Sequence, residues 1–98
     1  MTFEVTWSRQ AARAVNRDLP EAVAAACVEF ILGPLAQNPH RVGKALRAPF
    51  EGLHSARRGE FRIVYAIYDQ RIVVHVIAIQ HRRDAYRGAR APRASGSR

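Results

Sequence analysis

The sequence predicts an α+β fold: an N-terminal strand and an antiparallel two-helix hairpin packed on a twisted, mainly antiparallel four-stranded sheet. Three patterns carry that expectation. Residues 2–8 alternate strictly between apolar and polar. Apolar residues then recur at helical spacing through residue 31, in two blocks separated by Leu19-Pro20. From Phe50 onward the apolar residues fall into runs of strand length.

Each element has a local reason. Phe3, Val5 and Trp7 share one face of the first strand, and Thr2, Glu4 and Thr6 the other. Ser8 is placed to cap a first helix running to about Asn16, whose inner stripe is Ala12, Val15 and Leu19. Pro20 suits the first position of a second helix and Glu21 complements its dipole. Val23, Cys27, Phe30 and Ile31 form the inner stripe of that helix. Gly33-Pro34 should kink or end it, and Asn38-Pro39 closes the following turn. Ala45 to Arg47 is a possible short strand, and His40 reads as a loop residue. Phe50 to Arg57 follows as a strand in which Glu51-Gly52 marks a bulge or turn. Phe61 to Tyr68 is a strand, and Asp69-Gln70 a tight hairpin turn lacking the favoured glycine. Ile72 to Ile79 is nearly continuous in apolar residues, as in a strand covered on both faces. Within it His75 reads as a satisfied core histidine, and Tyr65 and Tyr68 as sheet packing. One domain over residues 1–87 is expected, followed by a basic, disordered tail over 88–98 without apolar periodicity.

Charge narrows the partners. The chain of 98 residues carries a net charge of +8, placed unevenly. Residues 1–37 hold a net −1 and residues 38–98 a net +9; fifteen of the sixteen cations are arginine. Such a basic half suits an anionic partner, and the planar guanidinium fork suits phosphate. The single cysteine, Cys27, excludes an internal disulfide framework and a cysteine zinc site, and its helical position reads as a buried small residue. The N-terminus lacks a charged region followed by an apolar run, and no apolar stretch reaches the length of a membrane span, so a soluble, cytoplasmic protein is expected.

The third strand carries the chemistry. Phe61, Ile63, Tyr65 and Ile67 share one of its faces, and Arg62, Val64, Ala66 and Tyr68 the other. If the aromatic-rich face meets the helices, Arg62 looks out from the open face. The bland alternative is an ion pair of Arg62 with Glu60, Glu51 or an acidic partner, yet an arginine inside an apolar strand needs a reason.

Leu19-Pro20-Glu21, Asn38-Pro39, Lys44-Ala-Leu-Arg47, Gly52, the run Ser55-Ala-Arg57-Arg58-Gly59-Glu-Phe61-Arg62-Ile-Val-Tyr65 and finally His81-Arg82-Arg83-Asp84-Ala85-Tyr86 are, in that order and spacing, similar to the RelE/ParE superfamily of bacterial toxins, and closest to its RelE branch. The likeness covers about residues 3 to 87. It implies a toxin neutralised by a cognate antitoxin, whose acidic amphipathic segment would wrap the basic sheet. In the RelE branch it further implies cleavage of messenger RNA in the ribosomal decoding site. That cleavage needs no metal or other cofactor. A ribose 2′-hydroxyl attacks the neighbouring phosphorus and leaves a 2′,3′-cyclic phosphate and a 5′-hydroxyl.

On this resemblance Arg62 is the phosphate stabiliser, Arg82 stabilises charge or donates a proton through water, and Tyr86 stacks on a base or orients the hydroxyl. His81 and His54 are the candidate acid and base groups, and Lys44, Arg47, Arg57, Arg58 and Arg83 the candidate contacts to RNA or ribosome. One departure stands out. Where a well-known relative has two lysines ahead of the strand arginine, this chain has Leu53 and Ser55, with His54 between them. Two other readings of the same scaffold are a ParE-like inhibitor of DNA gyrase without chemistry of its own, and a degenerate toxin kept as an antitoxin-binding corepressor.

Overall fold

A computed structural model of the chain describes residues 2–84; Tyr86 and the tail over 88–98 lie outside the described residues. The expected order holds, with a fifth strand added. The strands are β1 (Glu4–Trp7), β2 (Lys44–Ala45), β3 (His54–Arg58), β4 (Phe61–Tyr68) and β5 (Val73–His81). Their spatial order is β1-β5-β4-β3-β2. The β2–β3, β3–β4 and β4–β5 pairs are antiparallel, and β1 lies parallel to β5 with Val5 opposite Val74. A strand with no sequential neighbour to pair with has joined the far end of the meander, as its isolation suggests.

The helices cover one face. Ser8 caps α1 (Arg9–Arg13), its Oγ accepting from the Ala11 N–H at 2.9 Å and donating to the Ile77 carbonyl at 2.6 Å. The same hydroxyl therefore starts the helix and ties it to β5. A π-helical turn over Ala14–Asp18 extends α1 beyond the expected Asn16. The second helix, α2 (Glu21–Phe30), does not stop at Gly33-Pro34 but runs on as a π turn over Ile31–Leu35 that contains Pro34. Proline has no N–H to give the turn before it and its ring crowds the carbonyl four residues back; the wider turn accommodates both. A short helix, α3 (Pro39–Val42), follows Asn38, so His40 is helical rather than in a loop.

Phe61, Ile63, Tyr65 and Ile67 do meet the helices. Ile63, Tyr65, Val74, Val76 and Ile79 are buried against Ala11, Cys27, Ile31 and Leu35, with Phe61 and Ile67 packed at the margin. Fully burying side chains of this size contributes about 1.5–3 kcal/mol each. Cys27 is buried as expected, and burial pushes its thiol pKa up against the opposing charge of Arg58. The other face of the sheet holds a smaller apolar group: Leu53, Val64, Ala66 and Ala78, flanked by Leu46, Phe50 and Ile77.

Two local expectations shift. The strand expected from Phe50 begins only at His54, because Phe50 to Gly52 form a turn: Phe50 N donates to Arg47 O at 2.8 Å, Leu53 N to Phe50 O at 3.1 Å, and Gly52 has φ +91°. The β4–β5 connection is a four-residue loop, 69–72, since Tyr68 lies opposite Val73. Without a glycine to form a two-residue turn, the positive φ falls on Ile72, at 56°.

Candidate functional site

Register decides which cations meet. Arg57 lies opposite Arg62, Ser55 opposite Val64, and Lys44 opposite Ser55. Directly paired residues share a face, and so do residues two apart on one strand. Lys44, Ser55, Arg57 and Arg62 therefore stand on the face away from the helices, with Gln80 opposite Arg62 on β5. Together with Arg47, just beyond β2, they line an open groove of about 560 Å³ whose other walls are Val42 to Leu46 and Ala56. Among the described residues, four cations line it and no carboxylate does. Charge of one sign in a concave, partly apolar wall focuses the field on an anion.

The remaining candidates lie elsewhere. His54 and Ala56 alternate with Ser55 and Arg57, so they face the helices. The His54 ring stacks on Tyr65 at 5.6 Å and meets His40 edge-on at 5.9 Å. Its Nδ1 is buried without a hydrogen-bond partner among the described residues. Arg58 is on the same side, near enough to Cys27 to act on its thiol. His81 also faces the helix side, edge-on to Phe61 at 5.4 Å. A bulge puts it there: Tyr65 pairs with Val76 and Val64 with Ala78, so Ile77 is an extra residue and the alternation of β5 inverts beyond it. Arg82 begins a 3₁₀ turn and is held by Glu60, its Nε donating to Oε1 at 3.0 Å and its backbone N–H to the Glu60 carbonyl at 2.8 Å. His81 Nε2 approaches the same carboxylate at 3.7 Å, and the Arg83 N–H donates to His81 Nδ1 at 3.2 Å. Arg83 is exposed in that turn. Lys44, Arg47, Arg57 and Arg62 thus come together, whereas His54, Arg58, His81, Arg82 and Arg83 do not join them, and Tyr86 is outside the described residues. His75 is half-buried and hydrogen-bonded to Thr6 at 2.7 Å.

Tyr65 anchors the groove from behind. It is fully buried, its hydroxyl donates to the Pro39 carbonyl at 2.6 Å, and burial pushes its pKa up to about 12. That bond fixes α3, from which the chain runs through Gly43 into the groove wall at Lys44.

His54 confers a pH dependence on stability. Its pKa is lowered from 6.5, first by burial and then by His40, against an opposing pull from Asp69. A folded-state pKa below the unfolded value means that stability present above the unfolded pKa is lost as pH falls. His54→Gln should therefore flatten the decline in melting temperature between about pH 7 and pH 5. Parallel melting curves for the two proteins across that range would refute the assignment.

Among the described residues no group of three or more His, Cys, Asp or Glu side chains could hold a metal ion, and no helix is long and apolar enough to cross a membrane.

A family model described as the ParE toxin of the type II toxin-antitoxin system parDE matches residues 5–86. A Mycobacterium tuberculosis protein named Toxin RelE is 55% identical over 85 residues, which span 87% of each chain. Toxin RelG of the same organism is 41% identical over 87 residues, 89% of this chain and 99% of its own. In the crystal structure of the toxin-antitoxin complex RelBE2 from that organism, the matching chain superposes with a TM-score of 0.79 at 38% identity, covering 83% of this chain and 92% of that one. The isolated Escherichia coli RelE toxin shares the fold at 17% identity and a TM-score of 0.65, over 81% of this chain and 83% of its own.

Proposed function

The chain belongs to the RelE/ParE family of type II toxin-antitoxin toxins, in its RelE branch, and on that premise we propose that it is an endoribonuclease that cuts messenger RNA on the ribosome. One observation carries this reading: Lys44, Arg47, Arg57 and Arg62 converge on a groove that no carboxylate of the described residues lines. A phosphodiester passing through such a groove meets fixed positive charge where the pentacoordinate phosphorane gathers negative charge. In the proposed step the ribose O2′ bonds to phosphorus and the P–O5′ bond breaks. O2′ gives up a proton and O5′ takes one. Arg62, the second residue of β4 and paired with a strand on either side, stabilises the phosphorane oxygens, and Lys44 and Arg47 hold the flanking backbone. Guanidinium stays protonated throughout, so these arginines bind and stabilise rather than move the proton. The same basic face suits an acidic amphipathic segment of an antitoxin, and the complex named above, a toxin with its antitoxin, supports such a partner. Cytoplasmic ribosomes and their message are the remaining partners in this reading.

A second reading, a toxin that blocks DNA gyrase without chemistry, is favoured by a specific observation: among the described residues no histidine or carboxylate lines the groove to act as base. The two readings separate in one experiment. Antitoxin-free protein is added to ribosomes holding a defined message, and new 5′ ends are mapped by primer extension. Cuts inside the decoding-site codon that vanish without ribosomes are expected. An intact message, with supercoiling by gyrase inhibited, would overturn the nuclease reading.

A further inference from the structure

We propose that Phe50 is a positioning residue for the groove: by docking on the sheet it seats the loop that carries Arg47, and so sets where Arg47 meets an RNA phosphate. The inference rests on the reading of the groove as an RNA site. The side of the sheet away from the helices is not bare. Val64 and Ala78 are fully buried there, and Leu53 and Ala66 are buried beside them. The helices pack on the opposite face, so another part of the chain must cover these residues. The cover is the connection between β2 and β3, whose Leu46 and Phe50 pack on the group together with Ile77 of β5.

That connection is a strap closed at its base. Leu46 N donates to the Leu53 carbonyl at 2.9 Å, and inside this closure Phe50 N donates to the Arg47 carbonyl at 2.8 Å. Arg47 and Phe50 are therefore the two ends of one turn, tied through the backbone. One end lines the groove and the other sits on the sheet. Among the described residues no ion pair or hydrogen bond holds the Arg47 guanidinium. Strand β2 gives little support, since it is two residues long and pairs with β3 through Lys44 and Ala45. The apolar contact three residues on is what fixes the backbone under Arg47. An undocked loop would leave both that backbone and the long side chain to be ordered by the incoming phosphate, and docking removes the backbone share of the cost. Phe50 itself touches no substrate atom and acts through Arg47.

The test uses antitoxin-free protein and a short fluorescein-labelled oligouridine, with Kd measured by anisotropy over a series of sodium chloride concentrations. Each phosphate contact to a single strand adds about 0.7 to the slope of log Kd against log salt. Arg47→Gln should lower that slope by one contact. Phe50→Ala removes no charge, yet it should lower the slope by nearly the same amount, and the Arg47→Gln/Phe50→Ala double variant should fall no further. A merely structural role does not give this result, because loss of folded protein lowers the fraction that binds and leaves the slope of the remainder unchanged. Phe50→Val, which keeps a shorter apolar side chain, should fall between wild type and Phe50→Ala, and it carries the test if Phe50→Ala has no cooperative melt. On ribosomes Arg47→Gln and Phe50→Ala should both raise KM with kcat little changed, as for lost uniform binding. A wild-type slope in whichever Phe50 variant melts cooperatively would overturn the proposal, as would a further fall in the double variant. Intact message on ribosomes, with a slope that still depends on Phe50, would sink the nuclease reading and leave the positioning role standing. Cut message with a wild-type slope in the Phe50 variants would do the reverse.

Discussion

Arg62→Ala should reduce ribosome-dependent cleavage by roughly 10²–10³-fold, the cost of deleting one well-placed transition-state donor. Arg62 sits between Phe61 and Ile63, with Ile63 fully buried, near the start of β4, which is paired on both sides. A side chain rooted there is aimed by the backbone ladder, whereas Arg47 leaves from a turn after a two-residue strand. Rigid placement makes electrostatic stabilisation effective, because no reorganisation is needed as charge develops. The substitution truncates a partly exposed side chain outside the helix-facing core, so the melting temperature should change little. Antitoxin affinity, spread over a broad surface, should fall far less than cleavage. Measured single-turnover cutting within tenfold of wild type would remove Arg62 from the phosphate-stabilising role. Collapse of the fold would be visible as a lost melting transition and would call for Arg62→Gln instead.

Alternation put Arg62, Val64 and Ala66 on one face of β4 and Phe61, Ile63, Tyr65 and Ile67 on the other; which of the two meets the helices, conditional in the sequence because both are apolar, is decided by the packing. The partnership of Arg57 with Arg62 was itself legible. A hairpin turning at Gly59-Glu60 places residues 58 and 61, then 57 and 62, opposite each other. The same parity puts His54 on the face away from Arg57, so its separation from Arg62 could have been read from the chain. Gly59, at φ +63°, supplies the turn on which this counting depends.

His81 could not have been placed by counting. In an unbroken strand it would share a face with His75, on the groove side; the extra residue at Ile77 inverts the pattern and turns it toward Phe61. Nothing in Val76-Ile77-Ala78 marks a bulge, because all three are apolar and each fits either face. The capture of Arg82 by Glu60 likewise depends on where two turns meet in space, a long-range fact with no local signature. Fold class, helix hairpin and cationic strand are thus products of local periodicity. The membership of the groove is a product of register, and register bends wherever the backbone inserts a residue.

Gly43→Ala should be the most disruptive small substitution near the groove. Its backbone is extended, at φ −123° and ψ −173°, so any residue can adopt the conformation and the constraint is space alone. A Cβ built there would clash with the buried Tyr65 hydroxyl and lie 2.8 Å from the Ser55 carbonyl. Neither neighbour can yield cheaply. Tyr65 is fully buried and committed to the Pro39 carbonyl at 2.6 Å, and Ser55 is paired with both Lys44 and Val64 in the ladder. Overpacking of this kind costs about 1–3 kcal/mol, and breaking the buried tyrosine bond would leave a stranded carbonyl worth about 1–3 kcal/mol more. A loss of about 2 kcal/mol in a domain of this length lowers the melting temperature by roughly 8–16 °C. The strain should also reach function, because relieving it pushes β2 off β3 and carries Lys44 and Arg47 away from Arg57 and Arg62. Tyr65→Phe separates the two consequences. It removes the hydroxyl that the new methyl would strike and leaves Pro39 O unsatisfied, so alone it should destabilise, and combined with Gly43→Ala it should cost less than the sum of the two. Additive losses in the double variant would show that Gly43 and Tyr65 are not in contact, and unaltered melting of Gly43→Ala would show that the approach of β2 to β3 is looser than the 2.8 Å distance requires.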